Sequence, residues 1–181
     1  MLFDLVSKLL IEGAIVGWFQ GRAEFGPRAL GHRSILADPT LPHMQDHLNN
    51  RVKHREDFRP FAPAAPVESY EQYFDCIGED PFMTTICRVR PEFRERLPAI
   101  THVDGTARLQ TVRRETAPLF HALLTEFGRR RGLPIVLNTS FNVNGEPMVL
   151  TPHDAIRCLF TTGIDCLAIG SFLVHKSAVS G

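Results

Sequence analysis

Apolar positions along this chain recur at helical and then at strand-like spacing, and the two alternate to its end. Residues 3–12 place Leu5, Leu9 and Leu10 at helical spacing, with Gly13 as a stop. The apolar run 14–19 predicts a buried strand, and a loop over 20–31 follows it. A second short strand is expected over 34–37, closed by Asp38-Pro39. Pro42 opens a polar helix that runs to about Val52. Residues 62–67 read as a strand whose prolines would place it at a sheet edge. Ser69 is a candidate cap for a short helix over 70–74.

Residues 83–89 alternate weakly and predict a strand, and Asp104-Gly105 predicts a hairpin between 99–103 and 106–112. The clearest helix is 118–131, with Leu119, Leu123 and Phe127 on one face and Gly132 as its stop. A buried strand over 135–137 leads into a polar loop, 138–146. Thr151-Pro152 starts a last helix that ends near Gly163, and strands are expected over 166–169 and 172–175. No internal repeat or low-complexity tract interrupts this order. The pattern predicts an α/β chain with helices packed on a twisted sheet.

Composition narrows the function classes. A chain of 181 residues with 44% apolar and 22% charged residues can bury one proper core. The formal charge is zero and the isoelectric point is near 7.1, which argues against nucleic-acid binding through a basic field. No apolar run reaches the roughly 18 residues needed to cross a bilayer, so no membrane partner is expected. The first ten residues carry Asp4 and Lys8 inside their apolar pattern, unlike a secretion signal. Cys76, Cys87, Cys158 and Cys166 show no C-x-x-C spacing, so no metal site is expected from them. They suggest a reducing, cytoplasmic compartment, the alternative being two disulfides in a secreted protein.

Charge is neutral, but its chemistry is one-sided. Lys8, Lys53 and Lys176 are the only lysines among twenty basic residues, so seventeen are arginine. Arg22, Arg28 and Arg33 fall within a glycine- and proline-framed stretch, GRAEFGPRALGHRSILADP. Lys53, Arg55 and Arg59 fall within KHREDFRPFAP. Guanidinium is a rigid fork that matches phosphate oxygens two at a time, so arginines on stiff loops suit a small phosphorylated ligand. The alternative is a structural turn whose arginines pair with Glu24 and Asp38. Lys53 and Arg55, at i and i+2, either share a face toward a phosphate or belong to a solvated helix end. Asn138, Ser140 and Asn142 follow a buried strand, as a phosphate or ribose cradle would, or as a hydrogen-bonded turn would. His43 and His47 have metal-ligand spacing but no evident third ligand, and read as a polar face. His102 and Asp104 suit an acid–base pair or the lead into a hairpin. Neither G-x-x-x-x-G-K-[ST] nor G-x-G-x-x-G occurs.

Four stretches in order, GWFQGRAEFGPRALGHRSILADP, VKHREDFRPFAPA, HVDGTARLQTV and LNTSFNVNGEPMV, resemble the C-terminal domain of the NodU/CmcH-type O-carbamoyltransferases. The resemblance runs from about residue 5 to His175, with His32 and Thr40 standing where the family has Asn and Arg. It implies a YrdC-like fold, an open twisted mixed sheet flanked by helices, with 1–181 as one domain. It also implies that an N-terminal actin/sugar-kinase-like transfer domain lies outside this chain.

The activity implied is formation of carbamoyl adenylate from carbamoyl phosphate and ATP, with Mg²⁺, for transfer to an acceptor hydroxyl. Carried over by motif, Arg28, Lys53, Arg59 and Arg108 would be catalytic. Arg28, Arg33, Arg55, Arg59 and Arg108 would bind substrate. Lys53, Arg55, Asn138, Ser140 and Asn142 would hold the nucleotide. The alternatives are a nucleotide-binding module inactive alone, or an RNA-binding YrdC-like domain.

Overall fold

The computed structural model describes residues 2–54, 60–143 and 145–176. In chain order the elements are α1 (Leu2–Ile11), β1 (Val16–Phe19), β2 (Arg33–Ala37) and α2 (Met44–Leu48), which runs on into a π-helical turn, Asn49–Lys53. Next come β3 (Ala62–Pro66), a 3-10 turn at Tyr70–Gln72, β4 (Phe74–Asp75), β5 (Cys87–Val89) and α3 (Pro91–Arg94). The chain closes with β6 (Thr106–Ala107), β7 (Gln110–Val112), α4 (Pro118–Arg131), β8 (Val136–Ser140), α5 (Pro152–Thr161), β9 (Cys166–Ile169) and β10 (Phe172–His175).

Seven strands form one mixed sheet in the order β10-β9-β1-β2-β8-β3-β7, and β4-β5-β6 form a second, smaller sheet. Only β1–β9 and β3–β7 pair in parallel. Successive side chains of a strand point to opposite faces, so both faces of the large sheet are apolar. Val16, Trp18, Leu36 and Val136 join Val6 and Leu10 of α1 and Phe120, Leu123, Leu124 and Phe127 of α4. Ile15, Phe19, Ile35 and Leu137 join Met44, Leu48, Ala155 and Leu159 on the other side. The expected mixed sheet flanked by helices is therefore present.

Several local expectations need correction. Residues 62–67 form an interior strand, because β3 pairs with β8 over 62–64 and with β7 over 64–66. The two ladders overlap only at Ala64, so Pro63 and Pro66 remove few hydrogen bonds despite the central position. Ser69 makes no capping hydrogen bond, and the turn after it is a single 3-10 turn. Only 87–89 of the 83–89 segment is strand, because Asp80 folds the first part into a turn. It accepts from the amides of Phe82, Thr84 and Thr85 at 3.0, 2.6 and 2.6 Å. The 99–103 arm is not a strand, and 106–112 divides between two sheets. The inward face of α4 carries Phe120 and Leu124, whereas Leu119 is exposed. Leu5 of α1 is also exposed, and Val6 takes its place. Strand β8 extends through Ser140, so Asn138 lies in the sheet and not in a loop.

α1 lies along α4, and Arg130 pairs with Asp4 between them. Arg131, in the last turn of α4, reaches the fully buried Asp38 at 2.9 Å. α5 begins with a capping box in which Thr151 and Asp154 satisfy each other's amides.

Gly31 ends the β1–β2 loop at φ 103°, and a Cβ there would stand 2.3 Å from the Phe120 ring. Its carbonyl accepts from Trp18 Nε1 at 2.9 Å. Gly31→Ala should therefore cost about 2–4 kcal/mol, from left-handed backbone strain and overpacking together, read as a lowered urea midpoint.

Candidate active site

The β1–β2 loop carries the first arginine cluster, and one buried carboxylate shapes it. Oε1 of Glu24 accepts from the amides of Leu30, His32 and Arg33 at 2.7, 2.9 and 3.2 Å. Burial would push this carboxyl up. The neighbouring His32 ring, 3.7 Å away, and the loop amides outweigh burial and hold it down at about 2. Arg33 is buried beneath the same loop. Its guanidinium lies 3.6 Å over the Phe19 ring and donates to the carbonyls of Gln20, His32 and Gly21 at 3.0–3.1 Å. Expected as a substrate ligand, Arg33 instead ties the two ends of the loop together, and it does not line the cleft described next.

That cleft, about 190 Å³, opens where the end of β8 and the start of β3 meet the β1–β2 loop and the bend after β6. Arg28 comes from the β1–β2 loop and Arg108 from the bend between β6 and β7, where the chain passes from one sheet to the other. Asn138, Thr139 and Ser140 of β8 form its floor, with Phe61 and Met83 on the walls. Met83 holds a left-handed backbone, φ 55°, at a cost of about 1–2 kcal/mol. The five hydrogen bonds that converge on the Asp80 carboxylate stabilise that turn.

No carboxylate stands among the described residues that line the cleft. Burial and the Arg28 charge push the Arg108 guanidinium down, and Asp80 pulls it partly back. Arg108 Nε is buried without a hydrogen-bond partner, and so is Asn138 Oδ1. A buried donor left unmet costs roughly 1–3 kcal/mol, so an acceptor oxygen placed against it would be stabilised.

Beside the cleft, Lys53 closes the π-helical turn onto the end of β8. Its ammonium reaches Ser140 O and Oγ at 2.5 and 3.2 Å, and Asn142 O and Oδ1 at 3.0 and 2.7 Å. Ser140 Oγ donates to Asn142 Oδ1 at 2.7 Å, and Asn142 Nδ2 to Glu146 O at 2.7 Å. The structure thus brings Lys53, Ser140 and Asn142 together across more than 85 positions of sequence. In this state Lys53 acts as a clamp on protein oxygens. Arg55 and Arg59 lie outside the described residues.

Other expected features resolve as structure. Asp104 accepts from Thr106 N and Oγ1 at 3.0 and 2.6 Å, and His102 Nδ1 lies 3.0 Å from the same hydroxyl. This is turn chemistry. The His43 and His47 rings meet edge to face at 4.5 Å. All four cysteines are unbridged. Among the described residues no cluster of three or more His, Cys, Asp or Glu could hold a metal, and no helix is long and apolar enough to cross a membrane. A wider cavity of about 520 Å³ against α4 holds groups already paired, His121 with Glu68 and Arg129 with Glu126.

Two site residues escape motif reading. Glu24 looks in sequence like a partner for loop arginines, yet it serves loop amides. Gln110, 3% exposed in β7, donates from Nε2 to Leu30 O at 2.9 Å and carries the loop on the sheet. An amide within a short expected strand was its only signal.

Comparison with known proteins now decides the family. The pattern that defines "Carbamoyltransferase C-terminus" matches residues 7–176. The chain belongs to this carbamoyltransferase family. It is 51% identical over 174 residues to nodulation protein NolO of Bradyrhizobium diazoefficiens, covering 94% of this chain and 32% of that protein. It is 43% identical over 167 residues to a 3'-hydroxymethylcephem-O-carbamoyltransferase of Amycolatopsis lactamdurans, covering 92% and 32%. The chain thus spans about a third of the length of these relatives. Its fold also matches full-length HypF, solved in a phosphate- and nucleotide-bound form, with TM-score 0.66 and 19% identity over 93% of this chain and 25% of that one.

The Glu24 carboxyl supplies a pH prediction. Its folded value of about 2 lies below the ordinary 4.5, so its contribution is complete above pH 4.5 and is lost as pH falls toward 2. At about 1.4 kcal/mol per pH unit this is on the order of 3 kcal/mol. Glu24→Gln keeps an acceptor for the amides but should flatten the fall in stability across that window, as followed by urea unfolding at stepped pH.

Proposed function

We propose that this carbamoyltransferase C-terminal domain activates the carbamoyl group. Carbamoyl phosphate, ATP and water would give carbamoyl adenylate, inorganic phosphate and pyrophosphate. The observation that carries this reading is the pair of guanidiniums, Arg28 and Arg108, in one cleft beside the Lys53–Ser140–Asn142 cluster. Carbamoyl phosphate and ATP are both anions and repel each other as they approach. Fixed cations on a stiff scaffold offset that repulsion without reorganising during the reaction. Arg28 and Arg108 would hold carbamoyl phosphate. Ser140, Asn142 and the loop that Lys53 clamps would hold the nucleotide side. Arg33 would contribute indirectly, by fixing the loop that presents Arg28. Mg²⁺ would enter on the triphosphate, since the described residues offer no acidic cluster for it.

The activated carbamoyl group would then pass to an acceptor hydroxyl, as the name of the cephem relative states for that enzyme. That step would fall to the remainder of a longer protein or to a partner domain of the actin/sugar-kinase-like class. A second reading, a nucleotide-binding module inactive alone, draws on the chain's third share of its relatives' length.

Pyrophosphate release from ATP, with and without carbamoyl phosphate at fixed Mg²⁺, separates the two. Release that requires carbamoyl phosphate is the expected result. ATP binding without release would favour the module reading. Arg108→Ala should lower the rate by about 10²-fold or more. A folded variant with full activity would remove Arg108 from the site.

Arg28 gives an independent check without turnover. Arg28→Ala removes the like charge beside Arg108, so stability without phosphate should be unchanged or slightly higher. The rise in melting temperature with added inorganic phosphate should largely disappear.

A further inference from the structure

The orientation of two buried amides determines what the floor of the cleft can recognise. Gln110 Nε2 donates to Leu30 O at 2.9 Å, and a carbonyl can only accept. Gln110 must therefore turn its Oε1 toward Asn138, whose Nδ2 donates to it at 2.8 Å. The same Nδ2 donates to Ala29 O at 3.2 Å. Flipping Asn138 would set oxygen against two oxygens, so neither amide has a second orientation open to it. Both N–H groups of Asn138 are then used. Its Oδ1 is left as an acceptor with no donor, on a side chain that is 1% exposed and lines the cleft beside Arg28 and Arg108.

The cleft thus combines two cations that need an anion with one acceptor that needs a hydrogen. The ionised phosphoryl group of an acyl phosphate supplies only the first. An acyl phosphate ending in a methyl group also supplies only the first. A carbamoyl phosphate supplies both, because its amide N–H₂ stands where that methyl would be. We infer that Asn138 Oδ1 accepts a hydrogen bond from the carbamoyl N–H₂, and that it selects carbamoyl phosphate over acetyl phosphate, its near-isostere. The inference rests on the proposed reading that carbamoyl phosphate is the ligand of this cleft. Leaving Oδ1 buried and unmet beneath a methyl is the source of the discrimination.

The test is calorimetric titration of the 181-residue chain with inorganic phosphate, carbamoyl phosphate and acetyl phosphate in one buffer. Acetyl phosphate should bind about tenfold or more weakly than carbamoyl phosphate. Equal affinity for the two acyl phosphates would overturn the selection while leaving the anion cleft intact. No binding of any of the three would overturn both the selection and the carbamoyl phosphate reading. In Asn138→Leu, or in Asn138→Ser should the leucine variant fail to fold, the ratio of the two affinities should fall to about one. A merely structural asparagine would weaken both ligands and keep the ratio, and that result would sink the proposal.

Discussion

The candidate site depends on a buried carboxylate that is spent on the backbone amides of its own loop. Glu24 gathers three loop amides on one oxygen, and so fixes how the β1–β2 loop leaves the sheet. A loop of glycine and proline would otherwise sample many backbone states, and each ordered residue carries an entropic cost of about 1–2 kcal/mol. Charge-assisted bonds to backbone are the strong ones, and three on one carboxylate offset much of that cost. Arg33 completes the arrangement from below, binding carbonyls where Glu24 binds amides. Arg28 is therefore presented by a frame whose backbone amides and carbonyls are bound by Glu24 and Arg33.

The opposite wall repeats this logic with other residues. Asp80 collects amides and hydroxyls of the β4–β5 turn, which sets Met83 against the cleft in a strained backbone state. Its charge also faces Arg108 from outside. Arg108 thus stands near a carboxylate that serves backbone first. A closer acid would have neutralised the guanidiniums and left nothing for a ligand. The neutral net charge of the chain conceals this arrangement, because its acids and bases balance in number while the cleft itself stays cationic.

Much of the fold was legible because both core faces derive from period. β1, β2, α4, α5, β9 and β10 all lie where apolar spacing placed them. What failed did so for tertiary reasons. Pro63 and Pro66 suggested an edge, but offset ladders let β3 sit inside the sheet. Residues 106–112 read as one strand, but the chain changes sheets at Arg108, and that bend is what aims this side chain into the cleft. Leu5 and Leu119 match helical spacing yet point outward, since spacing fixes a stripe and not which edge of it meets the core.

The site was legible as a set of residues more than as a set of roles. Arg28, Arg108, Asn138 and Ser140, four residues singled out by motif, line one cleft. Arg33 differs from Arg28 by depth alone, and sequence does not encode depth five residues apart. Lys53 and Asn142 were both assigned to the nucleotide by motif, but only the fold sets the lysine ammonium against the oxygens of Ser140 and Asn142. Its position next to the arginine pair then has a physical reason. A free ammonium at the cleft edge would add to the repulsion already present between Arg28 and Arg108. Carbonyl and hydroxyl dipoles around Lys53 draw its charge into the fold, which leaves Arg28 and Arg108 as the cations among the described residues that line the cleft.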